Sequence, residues 1–208
     1  MRQNPDATVQ SDKVMKHAIF ASIFPLVLLA ADAPAHTVGS ATAPITIELY
    51  SDFQCPSCKV LHEGTIEDLR RDYVNKGKVR LVYRDVHLPA HKYARLAACY
   101  AGAAEKLGLY DPVANKLFQT QQTWQDSGKV DDIVASIVPA AQMMKLRALA
   151  NDPAMGTSID ATTTNAIQQV HIPGTPTMMI HHGASVERVG QVSTLILQRY
   201  LDDLLSKQ

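Results

Sequence analysis

A run rich in β-branched and aromatic residues, Ile45-Thr46-Ile47-Glu48-Leu49-Tyr50, leads into Cys55-Pro56-Ser57-Cys58. From Lys59 to Tyr73 the apolar residues Val60, Leu61, Ile66, Leu69 and Tyr73 then recur at helical intervals, and Asn75-Lys76-Gly77 is a fitting stop. Val79-Arg80-Leu81-Val82-Tyr83 reads as a second strand. The segment therefore predicts a strand–helix–strand unit in an α/β fold. Its two cysteines fall at the carboxyl end of the first strand, the edge of an open sheet where ligands and chemistry gather.

The cysteine spacing constrains the chemistry. Two intervening residues at a helix start leave both sulfurs on one face, close enough to close or open a small disulfide ring. Cys55 would occupy the helix N-terminus, where unpaired backbone N–H groups and the helix dipole favour a thiolate. Exchange would then run through a mixed disulfide on Cys55, which Cys58 resolves from one helical turn deeper. Pro56 suits the first helical position, since its missing N–H is one a helix start cannot use. In this reading Cys55 and Cys58 are the catalytic pair and form the redox-active disulfide. Pro56 and Ser57 tune the thiolate, and the disulfide is the only cofactor.

A metal site is the alternative of another class. His62 falls four residues after Cys58 on the same helical face, so Cys55, Cys58 and His62 could converge on an ion. A structural site wants a fourth ligand. The remaining cysteine, Cys99, lies in the apolar helical context Leu96-Ala97-Ala98-Cys99-Tyr100 and reads as a small buried hydrophobe. No metal is assigned, and His62 is read as a helix-surface or packing residue.

Lys13, Lys16 and His17 precede an apolar stretch from residue 18 to 30, too short for a comfortable membrane span, and Ala33-Pro34-Ala35 offers a small-residue cleavage site. Residues 1–35 are therefore expected to be a signal peptide or an N-terminal membrane anchor. Residues 36–208 are expected to be a single domain, which predicts a periplasmic or otherwise extracytoplasmic location. Three cysteines cannot build a disulfide scaffold. Twenty basic side chains balance twenty acidic ones, which gives no sign of a nucleic-acid partner.

Between the second strand and Gly174-Thr175-Pro176-Thr177, about 88–170, the chain reads as mostly helical. Helices are expected from His91 to Leu107, from Asp111 to Trp124, from Asp131 to Val138 and from Ala141 to Ala150, with Ser158 to Val170 leading back to the sheet. Met143, Met144, Met155 and Trp124 read as core. Thr177 to Ile180 and Ser185 to Gly190 predict a hairpin, with His181 and His182 as solvated turn residues. Ser193 is a plausible N-cap for an apolar-striped helix ending near Leu205. His87 and His91 flank the start of the insertion, and no third group identifies a role for either.

Ser51-Asp52-Phe53-Gln54-Cys55-Pro56-Ser57-Cys58-Lys59, with Gly174-Thr175-Pro176-Thr177 before a strand, resembles the DsbA-like branch of the thioredoxin-fold oxidoreductases, over roughly residues 40 to 205. The resemblance implies a thioredoxin-like fold with a central mixed sheet and a helical insertion between the second strand and a cis-proline turn. It implies that Thr175 and Pro176 bind an incoming extended peptide beside Cys55. The implied activity is oxidation of cysteines in exported folding proteins, with a membrane redox partner restoring the disulfide. A reductase or isomerase running on the same two sulfurs is the alternative within the family. One position departs from the family pattern: the buried carboxylate found six residues before the first cysteine is here Leu49. Strand alternation points the adjacent Glu48 to the opposite face. Pro-Ser between the cysteines also lacks the histidine of the strongest oxidants, so Cys55 is expected to be less acidic than theirs.

Overall fold

The computed structural model describes residues 35–207. The segment read as a leader therefore lies outside the described residues, except for Ala35.

Among the described residues five strands form one mixed sheet in the order β1-β3-β2-β4-β5. They are β1 (Thr37–Val38), β2 (Ile45–Ser51), β3 (Val79–Asp85), β4 (Thr177–His182) and β5 (Ser185–Val189). β2 runs parallel to β3 and antiparallel to β4. It is central, and Ile45, Ile47, Leu49 and Tyr50 are all buried. The segment alternates as far as Leu49, with Thr46 and Glu48 only partly buried between the buried apolar residues. The two-residue β1, pairing Thr37 with Val82 and Val38 with Leu81, is too short to announce itself in a sequence. Gly39 turns the chain from β1 toward β2 at φ +96°, and a Cβ there would meet the Val79 carbonyl oxygen at 2.5 Å. Only glycine fits both demands.

The helix after the cysteine motif begins as α1 (Pro56–Leu61) and continues to Val74, with π-helical stretches His62–Ile66 and Arg70–Val74 around the α-helical turn α2 (Glu67–Leu69). Leu61, Ile66, Leu69 and Tyr73 are buried, as the helical spacing predicts, whereas Val60 is 62% exposed. The parallel return to β3 completes the expected strand–helix–strand unit.

The insertion consists of α3 (Ala94–Glu105), α4 (Tyr110–Gln119), α5 (Gln121–Trp124), α6 (Val130–Ala135), α7 (Ala140–Ala150) and α8 (Pro153–Gln168). α3 is its axis: Ala97, Ala98, Ala101, Ala103 and Ala104 are almost wholly buried, and small side chains let α4, α7 and α8 approach closely. Trp124 is fully buried, and its indole N–H donates to the Leu117 carbonyl at 2.9 Å. Cys99, Met143 and Met155 are core residues. Met144 is not. It is 76% exposed, because α7 buries only the face carrying Met143, Leu146 and Ala150.

α8 starts at Pro153, earlier than expected, because Asp152 caps it by accepting a hydrogen bond from the Ala154 amide at 2.9 Å. α9 (Thr194–Ser206) follows its predicted cap, Ser193, and buries Leu197 and Leu201 against the core. His181 and His182 are strand residues of β4, not part of the turn; His181 lies 3.1 Å from Glu48 Oε2. No helix among the described residues is long and apolar enough to cross a membrane.

Candidate active site

Cys55 is the N-cap of α1, with φ −74° and ψ 119°, and Pro56 occupies the first helical turn. Pro56 is exposed and Ser57 half-buried. Cys55 keeps 7% of its surface accessible and Cys58 only 1%. Neither sulfur is disulfide-bonded. Far away in sequence, the loop before β4 brings Thr175 to the same point: Cys55 Sγ donates to the Thr175 carbonyl oxygen at 3.3 Å. The Thr175–Pro176 peptide bond is cis. Thr177 Oγ1 donates to the Gly174 carbonyl at 2.7 Å and pins the loop.

The two sulfurs are electrostatically unequal. The Cys55 pKa is lowered to about 5 because the Cys58 thiol donates to the Cys55 thiolate. The Thr175 hydroxyl and the backbone N–H groups of Cys58 and Ser57 add to this, against a burial effect of opposite sign. Thr175 Oγ1 is buried and finds no other partner among the described residues, so the Cys55 thiolate is the acceptor that satisfies it. Cys58 is pushed well above the ordinary thiol range, first by burial and then by its bond to Cys55 and the charge there. The Asp52 backbone N–H, 3.5 Å from Cys58 Sγ, and the Ser51 hydroxyl pull in the other direction.

Four polar side chains hold this arrangement that the sequence did not assign to it. Asp52 is wholly buried, and its carboxylate accepts from the Gln54 amide at 2.7 Å and the Leu88 amide at 2.8 Å. The His91 ring nitrogen Nδ1 lies 2.8 Å from the same carboxylate. Gln54 accepts from the Tyr93 amide and donates to the Gln125 carbonyl at 2.9 Å. Gln121, buried on α5, donates to the carbonyls of Phe53 at 2.8 Å and Cys55 at 3.1 Å. The helical insertion therefore grips the loop that presents Cys55. The signals for Asp52 and Gln54 lie within the motif itself, and Asp52 is the missing partner of His91. Nothing in the sequence singles out Gln121.

His62 is buried, not a helix-surface residue. Its Nε2 lies 2.6 Å from Asn115 Oδ1 and its ring packs against Phe118 with centroids 4.6 Å apart. Burial also holds its pKa below the usual histidine value. The ring is thus committed to α4, and among the described residues no three His, Cys, Asp or Glu side chains are grouped to hold a metal ion. The site formed by Cys55, Cys58 and His62 that the spacing allowed is not assembled. Glu48 is taken up by Arg84, at 2.7 Å, on the face strand alternation predicts, and Leu49 is buried.

A CxxC helix start beside an X–Pro loop, on a mixed sheet interrupted by a helical insertion, defines the class of thioredoxin-fold proteins with a DsbA-like insertion. The family model described as Thioredoxin matches residues 32–199, and the chain belongs to that family. Disulfide bond formation protein D of Bacillus subtilis is 32% identical over 108 residues, which cover 48% of this chain and 47% of that protein. The matches thus span about half or less of the length of the curated relatives. Among solved structures, alpha-DsbA1 of Wolbachia pipientis superposes with a TM-score of 0.73 at 19% identity, covering 86% of this chain and 95% of that one. Oxidised BdbD of Bacillus subtilis gives 0.67 at 22% identity, covering 82% and 92%. These likenesses show the DsbA-like fold, helical insertion included.

Proposed function

We propose that this chain is a thiol–disulfide oxidoreductase that oxidises cysteines of exported, folding proteins. The observation that carries the reading is the inequality of the two sulfurs: one acidic at a helix N-terminus and 7% exposed, the other 1% exposed and displaced upward one turn deeper. A substrate thiolate attacks Cys55 of the disulfide form, and Cys58 leaves. The substrate's second thiol then attacks the mixed disulfide and releases the Cys55 thiolate, a good leaving group because its pKa is low. Thr175 and Pro176 would present the extended substrate backbone next to Cys55. Exposed Val60, Leu195 and Ile196, near a cavity of about 400 Å³ lined by Val60, Leu61 and Val192, offer apolar contact to an unfolded chain.

The extracytoplasmic location, the cleaved or anchoring leader and a membrane partner that reoxidises Cys55 and Cys58 belong to the same proposal. The relatives named for disulfide bond formation support it, as does the apolar stretch at residues 18–30. The test is oxidative refolding of reduced, denatured ribonuclease by the oxidised, leader-free protein. Stoichiometric recovery of ribonuclease activity is expected. Failure to oxidise, with efficient reduction of insulin disulfides by the dithiol form, would assign the opposite direction of electron flow.

A further inference from the structure

Cys58 gives up a proton whenever it attacks a mixed disulfide on Cys55, and burial makes that thiol a reluctant acid. Position 49 on β2 carries leucine, and Glu48 is held by Arg84 on the other face. The neighbouring strand supplies another carboxyl. Ser51 and Asp85 are register partners across the parallel β2–β3 pair, two residues beyond the Leu49–Tyr83 pair. Their side chains therefore share the face of Leu49 and Tyr83, at the carboxyl edge where the cysteines sit. Ser51 is 6% exposed, and its hydroxyl favours the Cys58 thiolate. The Asp52 carboxylate already meets two backbone N–H groups and His91. Among the described residues the Asp85 carboxyl receives a hydrogen bond from the Tyr110 hydroxyl, to Oδ1 at 2.8 Å.

We propose that Asp85 is the proton acceptor for Cys58, reached through the Ser51 hydroxyl, in place of a carboxylate on β2. The inference rests on the thiol–disulfide reading above. In the step, the Cys58 sulfur bonds to Cys55 while the bond from Cys55 to the partner's sulfur breaks, and the partner leaves as a thiolate with the electron pair. The Cys58 proton passes to Ser51 as the Ser51 proton passes to Asp85. The enzyme is oxidised and the partner reduced. In the opposite direction Cys58 is the leaving group and the proton returns along the same path.

The surroundings suit a carboxyl that exchanges protons near neutrality. Burial pushes Asp85 up to about 7, against the Tyr110 hydrogen bond and the His36 charge, while Glu105 and Asp52 push it further up. These come from α4, the segment before β1, α3 and the loop after β2. Asp85 also lines a cavity of about 10 Å³ together with Ala35, Tyr83 and Thr162, about the space of one water.

The test is stopped-flow mixing of the reduced Cys99→Ala protein with oxidised glutathione, which separates formation of the mixed disulfide on Cys55 from its resolution by Cys58. Asp85→Asn is expected to slow resolution at pH 7 at least about tenfold while leaving formation within about twofold, and Ser51→Ala to do the same. Tyr110→Phe removes a donor that favours the carboxylate, so it should move the midpoint of the resolution rate to higher pH. Unchanged resolution in Asp85→Asn, equal losses in both steps, or an unmoved midpoint in Tyr110→Phe would overturn the assignment of Asp85. A parent protein that never forms the Cys55–Cys58 disulfide would overturn the function itself, a separable result.

Discussion

Replacing Cys55 by serine is expected to abolish thiol exchange, a loss on the order of a thousandfold or more in the oxidation of a reduced protein substrate. Cys58→Ser should behave differently. Cys55 stays acidic enough to react, but the resolving sulfur is gone, so the mixed disulfide accumulates and shows as a mass increase by one partner molecule. Cys99→Ala should change the rate by less than about twofold, because Cys99 is buried in α3 and takes no part in the site. Mass spectrometry of the three variants after exposure to oxidised glutathione, beside the rate at which each oxidises a reduced protein substrate, checks all three outcomes. Equal behaviour of Cys55→Ser and Cys58→Ser would contradict the roles assigned to the two sulfurs.

The second large effect is a coupling between redox state and stability. The Cys55 pKa falls from 9.0 to about 5 on folding, a depressed value. Such a group adds stability that is complete above its unfolded pKa and is lost as pH falls through the folded one. Cys58 is displaced upward, so its contribution changes only above the ordinary thiol range, outside this window. The disulfide form has neither thiol. The melting temperature of the dithiol form minus that of the disulfide form should therefore rise between pH 4 and pH 8, by about 5 °C or more. Thermal unfolding of both forms across that range measures it. A difference that is flat with pH would remove the thiolate from the account.

The parts of this molecule legible in its sequence are those written in local periodicity. β2, the cysteine helix and β3 are adjacent in the chain, and their spacing alone sets a strand–helix–strand unit. The Ser193 cap places the start of α9 in the same way, although Leu195 and Ile196 of the expected stripe are exposed and Leu197 is buried instead. What escaped is held by contacts between residues far apart. Asp52 is three residues before Cys55, yet its function depends on Leu88 and His91, which reach it only once the insertion is folded. Gln121 shows no pattern because a single buried glutamine earns its place from two carbonyls on another loop. His62 is the packing residue that one of its two readings allowed, but helical spacing put it on the face of Cys58, and nothing local reveals that Asn115 and Phe118 enclose its ring. Met144 followed the composition of its helix and not the face that α7 buries.

The inequality of the sulfurs also bears on direction. A nucleophilic cysteine near 5 lies between the values of a thioredoxin, about 7, and a strong oxidant such as DsbA, about 3.5. This agrees with a Pro-Ser dipeptide that lacks a histidine. Stabilising the thiolate stabilises the reduced protein, which makes its disulfide more oxidising.

The most direct measurement is therefore the reduction potential of the Cys55–Cys58 couple in the leader-free protein, with Cys99 replaced by alanine, by equilibration against glutathione buffers at pH 7. A potential between about −200 and −120 mV is expected, on the oxidising side of glutaredoxins. A value near about −270 mV, that of a thioredoxin, would contradict the oxidant reading.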